Sequence, residues 1–311
     1  MGTPDFAVPS LRATASSCDV AAVVTRPDRP RGRGQKLAAS EVAVEAERLG
    51  LPVWKAERVN AAECRERIAA VAPDLLAVVA FGAILSPATL AIPRLGCINL
   101  HGSLLPDYRG ASPVARALWD GRVSTGVTTM WMDDGVDTGD QILQRWIPIE
   151  PADNAGTLSA RLADLGGPLL ADSLVLAGQG QAPRIPQDRA AGSYAPKLEK
   201  RDGSVDWAQD AESVWCRQRA VTPWPGAHTM FREHRLKLME TRPVHRLRVD
   251  AAPGLVLEID DEGIVVACDP GALCVLRVRP EGKADMFATE WARARAHRAG
   301  RRPAHRKEAH A

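Results

Sequence analysis

Apolar residues follow two different rhythms along this chain, and the rhythm changes beyond residue 178. Before that point, short runs that are apolar at almost every position recur at 20–24, 51–54, 75–79 and 97–100. Runs without polar alternation suit strands covered on both faces, as in a parallel sheet with flanking helices. Between them, 41–49 and 61–71 have helix-compatible spacing, while 127–132 and 141–149 add two strands joined by an acidic turn. Residues 157–176 repeat apolar side chains at helical intervals, with Gly166 and Gly167 as an expected weak point. This half reads as α/β. From 178 to 203 the chain is rich in Gly, Gln, Pro and Arg and reads as a linker. A helical stretch at 208–219 follows, then short strands near 228–240, 254–258, 264–268 and 272–279. Closely spaced short strands with Gly and Pro turns predict a small β-barrel or sandwich. The expected organisation is a catalytic domain at 1–178, a linker at 179–205, a β-rich domain at 206–290 and a tail at 291–311.

Composition narrows the class. At 311 residues, 45% hydrophobic and 25% charged, the chain can bury a substantial core. No stretch approaches the ~18 apolar residues that span a bilayer. The N-terminus lacks the basic and apolar regions of a secretory signal, so no membrane association and a cytoplasmic location are expected. The six cysteines include no C-x-x-C pair, which favours free thiols over a disulfide framework or zinc site. The net charge of +2 conceals an asymmetry: residues 291–311 hold seven Arg/Lys against one Glu, so the remainder is net negative. A second basic cluster, 25–37, carries five Arg/Lys against one Asp. Local positive charge of this kind suits a polyanionic partner.

Only one of the seven histidines, His101, precedes residue 228, so imidazole chemistry in the α/β half falls to it. It follows the apolar run 97–100 and should stand at the carboxyl end of a strand, where open α/β sheets bind ligands. Asn99, two residues earlier, shares its face by strand periodicity. A carboxamide and an imidazole aimed at one point can donate two hydrogen bonds to an oxygen gaining negative charge. The alternative is a satisfied, partly buried histidine at a strand end. The second candidate cluster holds Asp133, Asp134, Asp137 and Asp140. Its order departs from a calcium loop, so no metal is expected; it is either a solvated turn or the source of one carboxylate that orients His101. The Gly32–Leu37 stretch fails as a dinucleotide fingerprint at its last position, and no phosphate-binding P-loop occurs.

Asn99, His101 and the Ser103, Leu104, Leu105, Pro106 run, taken with Asp133, Gly135, Asp137, Thr138 and Gly139, resemble the folate-dependent formyltransferases. Residues 2–11 (GTPDFAVPSL) resemble the opening loop and helix of that family. The basic stretch 26–37 (RPDRPRGRGQKL) resembles a loop particular to its tRNA-acting branch. Residues 193–198 (SYAPKL), Asp206-Trp207 and 223–226 (PWPG) match landmarks entering the second domain. The resemblance implies a Rossmann-like formyltransferase domain with a mostly parallel sheet, followed by a C-terminal OB-like β-barrel. It implies transfer of the formyl group of 10-formyltetrahydrofolate to the α-amino group of methionyl-initiator-tRNA, for translation initiation; a monomer is expected. Asn99 and His101 would polarise the formyl oxygen, and Asp137 would hold His101 and assist proton transfer. Ser103, Leu104, Leu105 and Pro106 would contact the folate, while Arg33, with Arg31 and Lys36, would meet the tRNA acceptor end.

Three other readings share part of this pattern. A formyltransferase acting on glycinamide ribonucleotide would keep Asn99, His101 and Asp137 without a second domain. A sugar-nucleotide formyltransferase can keep both domains but would lack the basic loop. A non-catalytic RNA-binding remnant is the third, because members of the family begin with an apolar strand ahead of Gly2-Thr3-Pro4. Met1 stands where that strand would end, so the expectation is that a central strand is missing and that the start was placed too late. Its loss would leave unpaired backbone groups and a smaller core.

Overall fold

The computed structural model describes residues 1–31, 34–244 and 249–299. They fall into two units: Met1–Ala117 with Arg122–Lys197, and Leu118–Gly121 with Leu198 onward. The first unit contains α1 (Val8–Ser17), β1 (Val23–Thr25), β2 (Arg29–Arg31), β3 (Lys36–Ala38) and α2 (Glu41–Arg48). It continues through β4 (Val53–Lys55), α3 (Ala62–Ala70), β5 (Leu75–Val78), α4 (Pro87–Leu90) and β6 (Gly96–His101). Helix α5 (Pro113–Trp119), strands β7 (Ser124–Trp131) and β8 (Gln141–Pro148), and helix α6 (Ala155–Gly178) follow. Strand β1 pairs with β4, and β5 with β6, in parallel; β7 and β8 then add antiparallel.

Among the described residues, the start of the chain lies between these two sheets. Gly2 donates its N–H to the Val24 carbonyl (3.1 Å), and Val79 donates to the Met1 carbonyl (2.9 Å). Gly2 forms a parallel bridge with Val79, just past β5, and so ties the two sheets together at this point. Beside them lies a cavity of about 530 Å³, lined by Ala22, Val23, Leu75, Leu76, Ile68 and Leu174 among others. This also explains a departure from the hydrophobic pattern: the strand expected from residue 20 begins only at Val23. Val20 and Ala22 are half-buried and Ala21 is exposed beside this gap.

Helix α6 runs unbroken for 24 residues, contrary to the expected weak point at Gly166 and Gly167. Asn154 caps it by accepting from the N–H groups of Gly156 and Thr157, while Thr157 Oγ1 accepts from Asn154 N–H. The glycines serve close packing. A Cβ on Gly166 would come within 2.6 Å of Leu100 Cδ2, and one on Gly167 within 2.8 Å of the Pro9 carbonyl. The cost of glycine in a helix, about 0.5–1 kcal/mol each, is offset by the close approach of α6 to β6 and α1.

In the second unit, α7 (Ala211–Ala220) starts after Asp210, whose carboxylate accepts the Ser213 N–H. It precedes β9 (His228–Phe231), β10 (His234–Val244), β11 (Val256–Ile259), β12 (Ile264–Ala267), β13 (Ala272–Pro280), β14 (Met286–Phe287) and α8 (Ala288–Ala299). The antiparallel order is β11-β12-β13-β10-β9, with β14 also on β13. The end strands β9 and β11 do not pair among the described residues, so the sheet is a curled half-barrel rather than a closed one. Val221, Leu238, Ile264, Val275, Val278 and Trp291 form its core. Cysteines 97, 216, 268 and 274 are buried free thiols, and burial pushes Cys97 up to about 12, far from thiolate chemistry.

Candidate active site

Strand β6 places the site. Its Asn99 pairs with Val78 of β5 and Met130 of β7, and His101 lies opposite Thr128. Leu100 points at α6, where Gly166 receives it, so Asn99 and His101 project to the opposite face. Both line one cavity of about 620 Å³, with Phe6, Phe81, Val114 and Asp137 among its other walls. That size lies within the range of small-molecule sites.

His101 is buried at 6% exposure. Its Nε2 lies 2.8 Å from the Tyr108 carbonyl, which can only accept, so this nitrogen carries the proton and donates it. The remaining nitrogen, Nδ1, stands 3.6 Å from Asp137 Oδ2. That is beyond hydrogen-bond reach. Asp137 is held from several directions. Its backbone has φ +55°, a left-handed conformation that Asp tolerates better than most residues. Its Oδ2 accepts the Gly110 N–H at 2.8 Å. Gly110 itself has φ +112°, and a Cβ there would strike the Tyr194 ring and the Ala195 carbonyl. Asp133, the first acid of the cluster, closes the turn: its Oδ1 accepts from Gly135 N–H (3.0 Å) and Thr138 Oγ1 (2.8 Å). One carboxylate thus shapes the loop and another faces the histidine.

The structure brings Asn99, His101 and Asp137 together. It does not bring Ser103, Leu104, Leu105 or Pro106 to the same cavity wall. Ser103 and Leu105 are buried in a turn tied to β7 and β8: Ser103 Oγ donates to Asp107 O, and Leu105 N–H donates to Thr128 Oγ1. Gln141 and Gln144 both donate to the Leu105 carbonyl. Leu104 and Pro106 are the half-exposed members. The basic stretch forms a hairpin in which Arg31 of β2 pairs with Lys36 of β3, with Lys36 exposed. Arg33 lies outside the described residues. Four participants escaped the sequence reading: the Tyr108 carbonyl, the Gly110 amide and the side chains of Arg109 and Gln187 that hold the loop. The first two are backbone groups that any residue supplies, so composition carries no trace of them.

Residues 5–174 match the family described as formyl transferase, and residues 197–296 match the formyl transferase C-terminal domain. Methionyl-tRNA formyltransferase of Moorella thermoacetica is 46% identical over 292 residues, covering 94% of each chain. The enzyme of the same name from Xylella fastidiosa strain 9a5c is 45% identical over 296 residues, 94% of this chain and 96% of its own. Among solved structures, WlaRD, a sugar 3N-formyl transferase with dTDP and 5-N-formyl-THF, superposes with a TM-score of 0.67 at 16% identity. It covers 91% of this chain and 97% of that one. At that identity the likeness concerns the fold.

Proposed function

The chain belongs to the formyl transferase family, and from that premise we propose that it moves the formyl group of 10-formyltetrahydrofolate onto the α-amino group of methionyl-initiator-tRNA. The observation that carries the reading is the convergence of Asn99, His101 and Asp137 on one cavity, in a chain whose relatives bearing that activity's name match nearly end to end.

The chemistry follows from the arrangement. A free α-amino group has a pKa of ~7.7–8.0, so a useful fraction is neutral near pH 7 and needs no strong base before attack. Its nitrogen adds to the formyl carbon, and the carbonyl electron pair moves to oxygen. Asn99 and the His101 ring then donate to that oxyanion, the ring through Nδ1 because Nε2–H is committed to Tyr108. Asp137 Oδ2 faces that nitrogen at 3.6 Å. Collapse breaks the bond to N10 of the folate, which takes up a proton as the attacking nitrogen, made cationic by the addition, loses one. The products are tetrahydrofolate and a formamide. The half-exposed Leu104 and Pro106 are assigned to the part of the folate outside the cavity. The reaction is assigned to a monomer in the cytoplasm, where charged tRNA is found. Among the described residues, no helix is long and apolar enough to cross a membrane.

The deciding assay supplies the chain with 10-formyltetrahydrofolate and charged initiator tRNA and detects formylmethionine by mass spectrometry. Formylation of an amino-sugar nucleotide instead would overturn the acceptor; absence of both product and folate binding would overturn the enzyme. For the acceptor, Arg31→Ala with Arg33→Ala is expected to raise KM for tRNA and to reduce the log–log salt slope by about 1.4, given ~0.7 per single-strand phosphate contact. Folate affinity should not move. Equal tRNA affinity at matched salt removes the hairpin from the interface.

A further inference from the structure

Residues 183–195 were expected to be part of a linker, yet within the first unit they form a strap across the catalytic loop. Ile185 exchanges two backbone hydrogen bonds with Gln141 at the start of β8, and Arg109 and Ala195 bond at 2.6 Å farther along. Between these anchors Gln187 turns inward. Its Nε2 donates to the carbonyls of Asp137 (3.0 Å) and Gly139 (2.7 Å). Its Oε1 accepts from Arg109 Nε (3.1 Å) and from an Arg109 terminal nitrogen (3.0 Å). The same guanidinium donates to the carbonyls of Asp188 and Ala191, fixing it to the strap.

Arg109 adjoins both backbone groups that define the site. Tyr108 before it supplies the carbonyl for His101, and Gly110 after it supplies the amide for Asp137. Tyr108 N–H also donates to Ser193 Oγ of the strap. One amide side chain therefore links the segment that holds the histidine to the backbone of the aspartate. Asp137 needs such a support because a left-handed φ costs about 1–3 kcal/mol and persists only where the surroundings impose it.

We infer that Gln187 is a positioning residue that sets the distance between Asp137 and His101, using Arg109 as its anchor. The inference deepens the proposed formyl transfer and rests on it for its kinetic consequence, whereas its geometric consequence stands alone. Gln187→Met keeps the length of the side chain and removes its hydrogen bonds to Asp137, Gly139 and Arg109. Gln187→Glu keeps the acceptor for Arg109 but has no amide to donate to the two carbonyls. Gln187 is half-buried, so both variants should fold.

The test is steady-state kinetics across pH, with crystal structures of the parent and both variants. A shift of about 1 Å at a reacting group can cost 10²-fold, so kcat should fall about ten- to a hundredfold in both variants. KM for folate and tRNA should stay within twofold, and the pH profile of kcat should change shape. The His101 Nδ1 to Asp137 Oδ2 separation should open by an ångström or more from 3.6 Å. A Gln187→Glu enzyme with parental kcat and pH profile overturns the inference, as does an unchanged separation in the variants. If the parent itself transfers no formyl group, the function reading fails and the separations alone decide the role of Gln187.

Discussion

Replacing His101 with Ala is expected to lower turnover by about 10²–10³-fold, the usual penalty for losing one oxyanion donor worth ~2.7–4 kcal/mol. Folate affinity should stay within about twofold, because the lost interaction strengthens only as charge develops on the oxygen. Asn99→Ala should behave alike, since both side chains reach the cavity from the same face of β6. Combining the two should cost less than the sum of the single effects if they serve one oxygen. His101→Gln separates two roles. An amide can donate a hydrogen bond but cannot move a proton as an imidazole can, so it should recover only part of the activity. The competing account is that His101 merely satisfies the Tyr108 carbonyl. Orphaning that buried acceptor would cost about 1–3 kcal/mol of stability. Melting temperature and turnover must therefore be measured on the same samples. A variant with lowered stability but near-normal turnover per folded molecule removes His101 from the chemistry.

The parts of this architecture legible in the sequence are those that local pattern encodes. The apolar run ending at His101 placed a strand end at the site, and a period of two put Asn99 beside it; both hold. The acidic turn was recognisable as the partner loop, but the division of labour within it was not. That Asp133 organises the turn while Asp137 faces His101 depends on one left-handed residue and on the Gly110 amide, 27 positions away. Gln187 and Arg109 are 78 residues apart, and a stretch rich in Gly, Pro and Gln has no periodicity that would reveal a strap. The glycine pair of α6 misled for a related reason: propensity registers the helical cost of Gly166 and Gly167, whereas their benefit lies in Leu100 and Pro9, remote in sequence. The 103–106 run shows the same limit from the side of resemblance. Its motif is intact, yet Ser103 and Leu105 spend their hydrogen bonds inside the turn rather than on the cavity.

The second large effect concerns the gap between β1 and β5. Fusing four alternating Ile and Val residues ahead of Met1 should raise the unfolding free energy by several kcal/mol. In a parallel register the added strand would run beside residues 20–23 and 75–76 and fill the cavity of about 530 Å³. Burying four branched side chains contributes roughly 6–12 kcal/mol, ordering four residues costs about 4–8, and each new ladder hydrogen bond adds about 1. The balance is favourable because the sheet edges on both sides are already in place. A second signature comes from the Met1 ammonium, which donates to the Ala77 carbonyl at 2.6 Å and is lowered by burial to about 6 from 8.0. The unfolded chain therefore binds more protons between these values, so the parent should lose stability as pH falls from 8 to 6, by roughly 1–3 kcal/mol in all. In the extended chain that nitrogen is a peptide amide, and this contribution to the slope should vanish. Denaturant titrations of both proteins at pH 6 and 8 measure the two effects together. A higher midpoint with the parental slope would mean that the added residues lie elsewhere on the surface. An unchanged midpoint would mean that the cavity does not accept a strand. Hydrogen exchange locates the gain when both effects appear, because new protection should concentrate on the amides of 20–23 and 75–78 that border the gap.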